Sequence, residues 1–411
     1  MAAGSASRSN IPGRSKMRKA YLDHSAAYPL LPEVREAMLP FLTEIFGNPL
    51  SLHDWGDGPR DAMEEARAKV AGLIGVSDPE EIVFTSSGTE SNNMALKGLA
   101  QAQQGKGKHI IISAIEHFSI MNAAKALEKL GYEISLVPVD NMGVVDVEAL
   151  KKAIKPETIL VSIMHANGEV GTIQPLQEIS KVTRERKIVL HTDAVASCGS
   201  IPINVKEMGV DALSLAGNQF YGPRGSAALW VRRGVRILPL LDGGIQEGGR
   251  RAGTEDVPAI VGMGKAAEIA AKNLAQNTPK LIAMRDKLIA GLPAKIPHVV
   301  VTGHLQQRLP GHASFCVEFI EGEGMLMLLN SQGVAVSSGS SCTSRALKAS
   351  HVLLAMGYNH EIAQGSMLFT LGIDNNIEDI DQVLEAMPPI VTRLREMSPV
   401  WAKYIKSNKG G

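Results

Sequence analysis

IVFTSSGTESNN (82–93) joins a β-branched run, a Ser/Gly turn and the opening of a helix. Such a run reads as a strand, and the polar residues after it as a turn leading into a helix N-terminus. Similar runs follow at HIIIS (109–113), EISLVPV (133–139), TILVSIM (158–164), IVLHTDA (188–194), ALSLAG (212–217) and SAALWVRR (226–233). Segments of helical length separate most of the earlier ones, so the pattern predicts an α/β fold with a mainly parallel, doubly wound sheet. Ligands of such sheets bind outside the strands' carboxyl ends. After a long helical stretch near 257–292 the pattern restarts with VVVTG, HASFCVEF, VAVSS and SMLFTLG set around helices. This predicts a large domain over 19–292 and a smaller α+β domain over 293–411, with which the first folded residues could pack.

Composition narrows the function classes. A chain of 411 residues, 45% apolar and 20% charged, is long enough to bury a full core. Lys plus Arg and Asp plus Glu both number 42, so no global field recruits nucleic acid or an anionic membrane. The three cysteines, Cys198, Cys316 and Cys342, include no close pair. They form neither a disulfide framework nor a zinc site, and they suit the reducing cytoplasm. No apolar run reaches bilayer length, and the first residues, MAAGSASRSNIPGRSK, lack the apolar core of a signal peptide. Residues 1–18 read as a disordered extension or tag.

Three local features suggest chemistry. In SSGTESNN (86–93), backbone N–H groups at the helix start and the Thr89 hydroxyl would face an anion, a phosphate being the natural guest. Taken alone, the stretch also reads as a plain capped helix. Asp193 ends the run IVLHTDA, where a ligand should lie, and its carboxylate could pair with a protonated ring nitrogen or cap the next helix. His117, in AIEHFS, also follows a strand.

In order along the chain, YLDHSAAYP (21–29), FGNPLSLHDWG (46–56), VFTSSGTESNN (83–93), AIEHFS (114–119), MHANGEVGTIQP (164–175), LHTDAVAS (190–197), LSLAGNQFYGPRGSAALWVRR (213–233), GGIQEGGRRAGT (243–254), EGEGMLMLLNSQGVAVSSGSSCTS (321–344) and MSPVWAKY (397–404) resemble the successive signatures of bacterial cysteine desulfurases, in the class V aminotransferase group. The resemblance implies a PLP-dependent transferase fold of the aspartate aminotransferase type and a homodimer that takes sulfur from L-cysteine, leaving alanine. It also implies delivery of that sulfur, as a persulfide, to partners building iron–sulfur clusters or thiolated tRNA. On matching positions, Gly88 and Thr89 would hold the phosphate, His117 would stack on the pyridine ring, and Asp193 would pair with its nitrogen. Asn167 would lie beside the ring, Thr254 would reach a phosphate across the dimer interface, and Cys342 would take the sulfur.

The departures from that pattern matter more. Where the family reads Ser-Gly-His-Lys, this chain reads Ala216, Gly217, Asn218 and Gln219. The lysine that forms the Schiff base is absent. A carboxamide nitrogen has a delocalised lone pair, so Gln219 neither binds the cofactor covalently nor shuttles protons. The neighbouring Arg224 stays protonated and cannot substitute. Asn218 could still donate one hydrogen bond to a phosphate. Ala196 stands where a glutamine would bond the ring hydroxyl, and Leu368 where an arginine would clamp the substrate carboxylate. An alkyl chain cannot imitate that bidentate clamp. Ala27 and Tyr28 replace small hydroxyl residues near the entrance.

Covalent PLP is therefore predicted absent, and attention moves to Cys342. Its surroundings, VAVSSGSSCTSRALKAS, are polar and Ser/Gly-rich, with Arg345 and Lys348 close enough in sequence to favour the thiolate. A thiolate has two uses without PLP: accepting a sulfane sulfur, or ligating an iron of a cluster shared with a scaffold protein. Cys198 and Cys316 sit in strand or strand-end contexts and read as core. Three functions follow. One is a desulfurase-like protein of iron–sulfur cluster assembly acting through Cys342, with a scaffold docked near MSPVWAKY, a tail that Trp401 and Tyr404 could equally pack down. The second is an enzyme binding PLP non-covalently with weak or altered turnover, and the third a silent regulatory dimer.

Overall fold

The computed structural model describes residues 18–339 and 349–408, so the expectations for Cys342, Arg345 and Lys348 and for the N-terminal extension up to residue 17 lie outside the described residues. The strands are β1 Ala20–Tyr21, β2 Ile82–Thr85, β3 His109–Ser113, β4 Glu133–Val137, β5 Thr158–Ser162, β6 Val189–Asp193, β7 Ala212–Ala216, β8 Ala227–Val231, β9 Val299–Val301, β10 His312–Val317, β11 Val334–Ala335 and β12 Ser366–Thr370. Seven of them form the main sheet in the order β2-β8-β7-β6-β5-β3-β4. Strands β7, β6, β5, β3 and β4 pair in parallel, whereas β8 runs antiparallel to both β7 and β2. The reversal has a simple cause. The connection Gly217–Ser226 holds only a 3-10 turn, too short for the crossover that a parallel neighbour needs.

Helices cover both faces of this sheet, which explains why its strands read as continuous apolar runs rather than as alternating ones. Ile111, Val161, Leu190 and Leu213 point to one core, while Ile110, Ile112, Leu160 and Leu229 point to another on the opposite face. Asp193 and Ser113 end two of these strands with polar side chains that are themselves buried.

A smaller unit is built on the antiparallel sheet β12-β10-β9 and the parallel pair β1-β11. Its core contains Phe315 and Phe369, in edge contact at 5.9 Å, together with Ala20, Leu22 and Val383. The helix Val257–Lys295 serves both units: Ile260, Met263 and Ala267 enter the large core, and Met284, Leu288 and Leu292 enter the second. Asp256 caps its start by accepting from the Ala259 N–H, with a proline in the first turn. At Gly264 a Cβ would lie 2.6 Å from the Ala66 Cα, so glycine there lets this helix lie flat on Asp57–Leu73. Among the described residues, no helix is long and apolar enough to cross a membrane.

A buried ion pair fixes the loop that carries Thr254. Arg67 donates through both terminal nitrogens to Glu247, at 2.7 and 2.8 Å, and the Phe84 N–H donates to the same carboxylate at 2.7 Å. The Arg67 and Glu247 side chains are 7% and 1% exposed. Glu247 holds a left-handed φ of 51°, a conformation costly for a residue with a Cβ and sustained here by three charge-assisted bonds. Removing one partner strands a charge in low dielectric. Arg67→Met should therefore lower unfolding free energy by about 3–5 kcal/mol, read as a shifted denaturant midpoint at unchanged m-value.

Candidate functional site

The carboxyl ends of the parallel strands bring most of the predicted residues to one edge of the sheet. Beyond β2 the chain turns through Ser86 and Ser87 into the helix Gly88–Asn93, which continues through a π turn, Met94–Gly98, into Leu99–Gln103. Ser87 caps it, accepting from the Glu90 N–H at 3.1 Å. At Gly88 a Cβ would lie 2.7 Å from a Val195 methyl and 3.5 Å from the Ala216 Cβ, so only glycine lets this backbone approach the ends of β6 and β7. Thr89 is exposed at the open end of the helix. Glu90 ties the turn to the Thr254 loop, accepting from the Ser86 N–H at 2.9 Å and from Arg251 Nε at 2.8 Å. Thr254 itself is exposed on that loop.

A hydrogen-bonded chain through Asn92 and Ser119 links two of the predicted site residues, Asp193 and His117. Asn92 donates through Nδ2 to Asp193 Oδ2 at 2.6 Å and to Ser119 Oγ at 2.8 Å. Ser119 Oγ lies 2.7 Å from His117 Nδ1, which also accepts from the Ser119 N–H at 3.1 Å. With Nδ1 accepting an amide hydrogen, this network assigns the neutral imidazole proton to Nε2. The Val195 N–H satisfies Asp193 Oδ1 at 2.9 Å. Asp193 is 6% exposed, and burial pushes its carboxyl upward against the pull of the Val195 N–H, His117 and Asn92. A cation placed against this carboxylate would relieve that cost.

The turn after β5 divides its tasks unexpectedly. The Asn167 side chain accepts from the Glu169 and Val170 N–H groups, each at 2.9 Å, and donates to the Ile115 carbonyl at 3.1 Å. Its carboxamide is committed to shaping the turn. Gly168 faces the β6 loop instead, since a Cβ there would lie 3.6 Å from that of Ala196. Sequence reading missed Gly168 because a residue without a side chain offers no chemistry to notice.

Beyond β7, Asn218 and Gln219 are half-buried in the 3-10 turn Gly217–Phe220. Gln219 Nε2 donates to the Ser25 carbonyl at 3.2 Å, which holds the N-terminal segment across this turn. Tyr28 of that segment packs edge-on against Tyr221 at 4.8 Å, and burial pushes its hydroxyl up to about 12. Leu368 is buried on β12, its backbone exchanging hydrogen bonds with Ser337. Cys198 and Cys316 are buried free thiols, and desolvation pushes each up to about 12. Among the described residues no three His, Cys, Asp or Glu side chains gather as a metal site.

These donors fit one part of a pyridine nucleus carrying a phosphate. The Gly88 cradle leaves room where a Cβ would close it, and Asp193 offers a buried acceptor to a ring N–H. Near Gly168, Ala196 and Ala216 the side chains bring no polar atom, and at 219 the side chain is a carboxamide.

Comparisons with known proteins bear on this arrangement. The profile of the aminotransferase class-V family matches residues 20–383. A cysteine desulfurase IscS of Methanosarcina thermophila is 48% identical over 390 residues, covering 95% of this chain and 96% of its own. One from Dictyoglomus turgidum is 49% identical over 392 residues, covering 95% and 99%. Among solved structures, a NifS-like protein superposes with a TM-score of 0.86 at 37% identity, covering 92% of this chain and 100% of its own. A NifS-like protein from Rickettsia africae gives 0.83 at 32% identity, covering 91% and 100%.

Sequence reading also passed over Glu116, beside His117. It is fully buried, with Oε1 accepting from the Met164 N–H at 2.8 Å and Oε2 without a hydrogen-bond partner among the described residues. Burial, opposed by the Met164 N–H and reinforced by Asp193, holds its carboxyl well above the usual range. The unfolded chain releases this proton in the ordinary carboxylate range while the folded protein still keeps it. Stability from this group is therefore complete below that range and lost as pH rises through the raised folded value. Glu116→Gln keeps the acceptor and removes the titration. Its stability relative to the parent should grow with pH across that window, measured as denaturation midpoints from pH 4 to 9; a pH-independent difference would contradict the assignment.

Proposed function

The chain belongs to the aminotransferase class-V family, and on that premise we propose that it is a cysteine desulfurase-like protein of iron–sulfur cluster assembly that has given up covalent PLP chemistry. It acts in the cytoplasm as a homodimer, using Cys342 as sulfur acceptor or cluster ligand together with a scaffold partner. The observation that carries this reading is Gln219 at the end of β7, a carboxamide already donating to the Ser25 carbonyl, where chemistry on an amino acid needs a free amine. Gly168, Ala196, Ala216 and Leu368 accompany it with no hydrogen-bonding side chain.

The retained half of the site favours non-covalent binding of PLP. Gly88 and Thr89 would hold the phosphate, Asp193 would accept the ring N–H, and His117, fixed by Ser119, would face the ring. When bound, PLP supplies an electron sink for bonds at the carbon of an attached amine. This chain's residues then do three things: Asp193 keeps a negative charge at the ring nitrogen, Asn92 holds that carboxylate in place, and Tyr28 covers the approach past Tyr221. Binding and orientation survive; nucleophile and substrate clamp do not.

Exposed apolar side chains support the homodimer. Phe46, Trp55, Leu52 and Ile245 are 67%, 63%, 103% and 76% exposed, and Ile245 lies on the loop that bears Thr254. At the other end of the chain, Trp401 and Tyr404 pack with His298 and Phe319. They anchor the terminal helix Pro399–Asn408, on which Val400 is 43% exposed and open to a scaffold protein.

At Cys342 the reaction is a thiolate attack on the terminal sulfur of an external persulfide. A new S–S bond forms, the donor's S–S bond breaks, and the donor's thiolate leaves.

The purified protein should release no measurable alanine from L-cysteine, with or without added PLP. Gln219→Lys should produce with PLP a visible band that borohydride abolishes, while cysteine turnover stays poor because Leu368 offers the substrate carboxylate nothing. Robust alanine production by the unmodified protein would sink the reading.

Cys342 should alkylate faster near neutral pH than Cys198 and Cys316, whose thiols burial keeps protonated. Cys342→Ser should leave the dimer intact and abolish sulfur loading from a persulfide donor, followed by peptide mass spectrometry. Equal loading of that variant would transfer the role to another group.

A further inference from the structure

Ser25 is bonded to both units at once. Its N–H donates to Thr370 Oγ1 of β12 at 2.8 Å, and its carbonyl accepts from Gln219 Nε2, beyond β7, at 3.2 Å. A residue whose two backbone groups are claimed by opposite partners resists their separation, because moving either partner leaves a backbone group unsatisfied.

The chain on either side of Ser25 is divided in the same way. Toward the smaller unit, Asp23 pairs with Thr370, the Leu22 carbonyl accepts from the Thr370 N–H at 2.8 Å, and His24 Nδ1 donates to the Thr370 carbonyl at 2.9 Å. Toward the large unit, Tyr28 packs on Tyr221, and its hydroxyl faces Ser200 in the loop after β6. Tyr221 in turn crosses to the smaller unit, its hydroxyl accepting from the Ile373 N–H at 2.7 Å. Successive ring contacts, Tyr21 with His24 at 5.0 Å and His24 with Tyr28 at 5.1 Å, stiffen the segment between these anchors. It therefore runs as a strap from β12 to the loops after β6 and β7, the two strand ends that carry Asp193 and Gln219.

We propose that Gln219 is a positioning residue, its carboxamide pegging the segment 23–28 across the two units as a strap that controls entry of a ring-and-phosphate ligand to the Asp193 edge. The control of entry rests on the reading of that edge given above, whereas the tie between units stands without it. A carboxamide suits the task because it donates to a carbonyl yet neither titrates nor acts as a nucleophile, so the peg stays in place. An amine at the same position that bonded to a ligand carbon would have to release Ser25. The residue that withholds a nucleophile thus supplies a lasting tie.

Hydrogen exchange and ligand association test the tie and the gate separately. Gln219→Met, similar in length but without a donor, should raise amide exchange across residues 23–28 several-fold while leaving the helix Val257–Lys295 unchanged. It should also speed association of pyridoxine 5′-phosphate, a ring and phosphate with no aldehyde, followed by its fluorescence. Dissociation should quicken by the same factor, leaving Kd nearly unchanged, whereas a residue that simply touched the ligand would alter Kd. Thr370→Val removes the acceptor at the other end of Ser25 and should speed association similarly, with the double variant adding little, since a strap cut at one end no longer joins two units. Gln219→Lys keeps a donor and should restore the exchange of the parent in the absence of PLP. Gln219→Glu, which has the same shape and no N–H, replaces Gln219→Met if that variant does not fold. Unchanged exchange across 23–28 overturns the strap, and faster exchange with unaltered association of a ligand that does bind overturns the gate. Faster exchange with no binding of pyridoxine 5′-phosphate by any variant upholds the strap and defeats the reading of the Asp193 edge instead.

Discussion

A carboxylate withdrawn from water must be matched by donors, and the edge of the large sheet is arranged around that requirement at Asp193. The match comes from the Val195 N–H and from Asn92, and Asn92 can serve only if its helix starts close against the ends of β6 and β7. Hence the missing side chain at Gly88 and the small one at Ala216, which permit the approach. Ser119 and His117 follow from the same bond, since the amide that reaches Asp193 also reaches Ser119. One satisfied charge thus sets a helix, two loops and the tautomer of an imidazole.

The parallel sheet was legible because strands buried on both faces must be apolar throughout, so HIIIS and TILVS announce themselves without any alternation. Glycine before a helix and an acid at a strand end were equally visible, being local signals. What escaped was set by contacts between distant segments. Asn92 earns its role through Asp193, and Glu247 through Arg67, pairings far apart in the chain. Asn167, placed beside the ring by the resemblance, has a second use that its type did not announce: its oxygen accepts from the N–H groups two and three residues ahead and shapes a local turn.

Residue types divide the predicted site positions into two sets. Gly88 and Asp193 offer backbone donors and a buried acid, while positions 168, 196 and 368 are Gly, Ala and Leu. Under the proposed function this asymmetry has a physical sense. On that reading, holding a ring and a phosphate would draw on the first set, and reacting with an amino acid would draw on the second, whose residues carry no hydrogen-bonding side chain.

The helix Val257–Lys295 gives the molecule an order of assembly as well as a shape. At about 1.5 Å per residue it is a rod with its two halves sunk in different cores, so neither core closes without a segment that also belongs to the other. Strand β1 adds a longer delay, because Ala20 and Tyr21 pair with Val334 and Ala335, which are made long after them. During synthesis the large sheet gathers while Ala20 and Leu22 still wait for a core made from the end of the chain. Ala20 and Leu22 therefore stay without their core partners while most of the large unit is being made, and apolar groups exposed in this way favour aggregation.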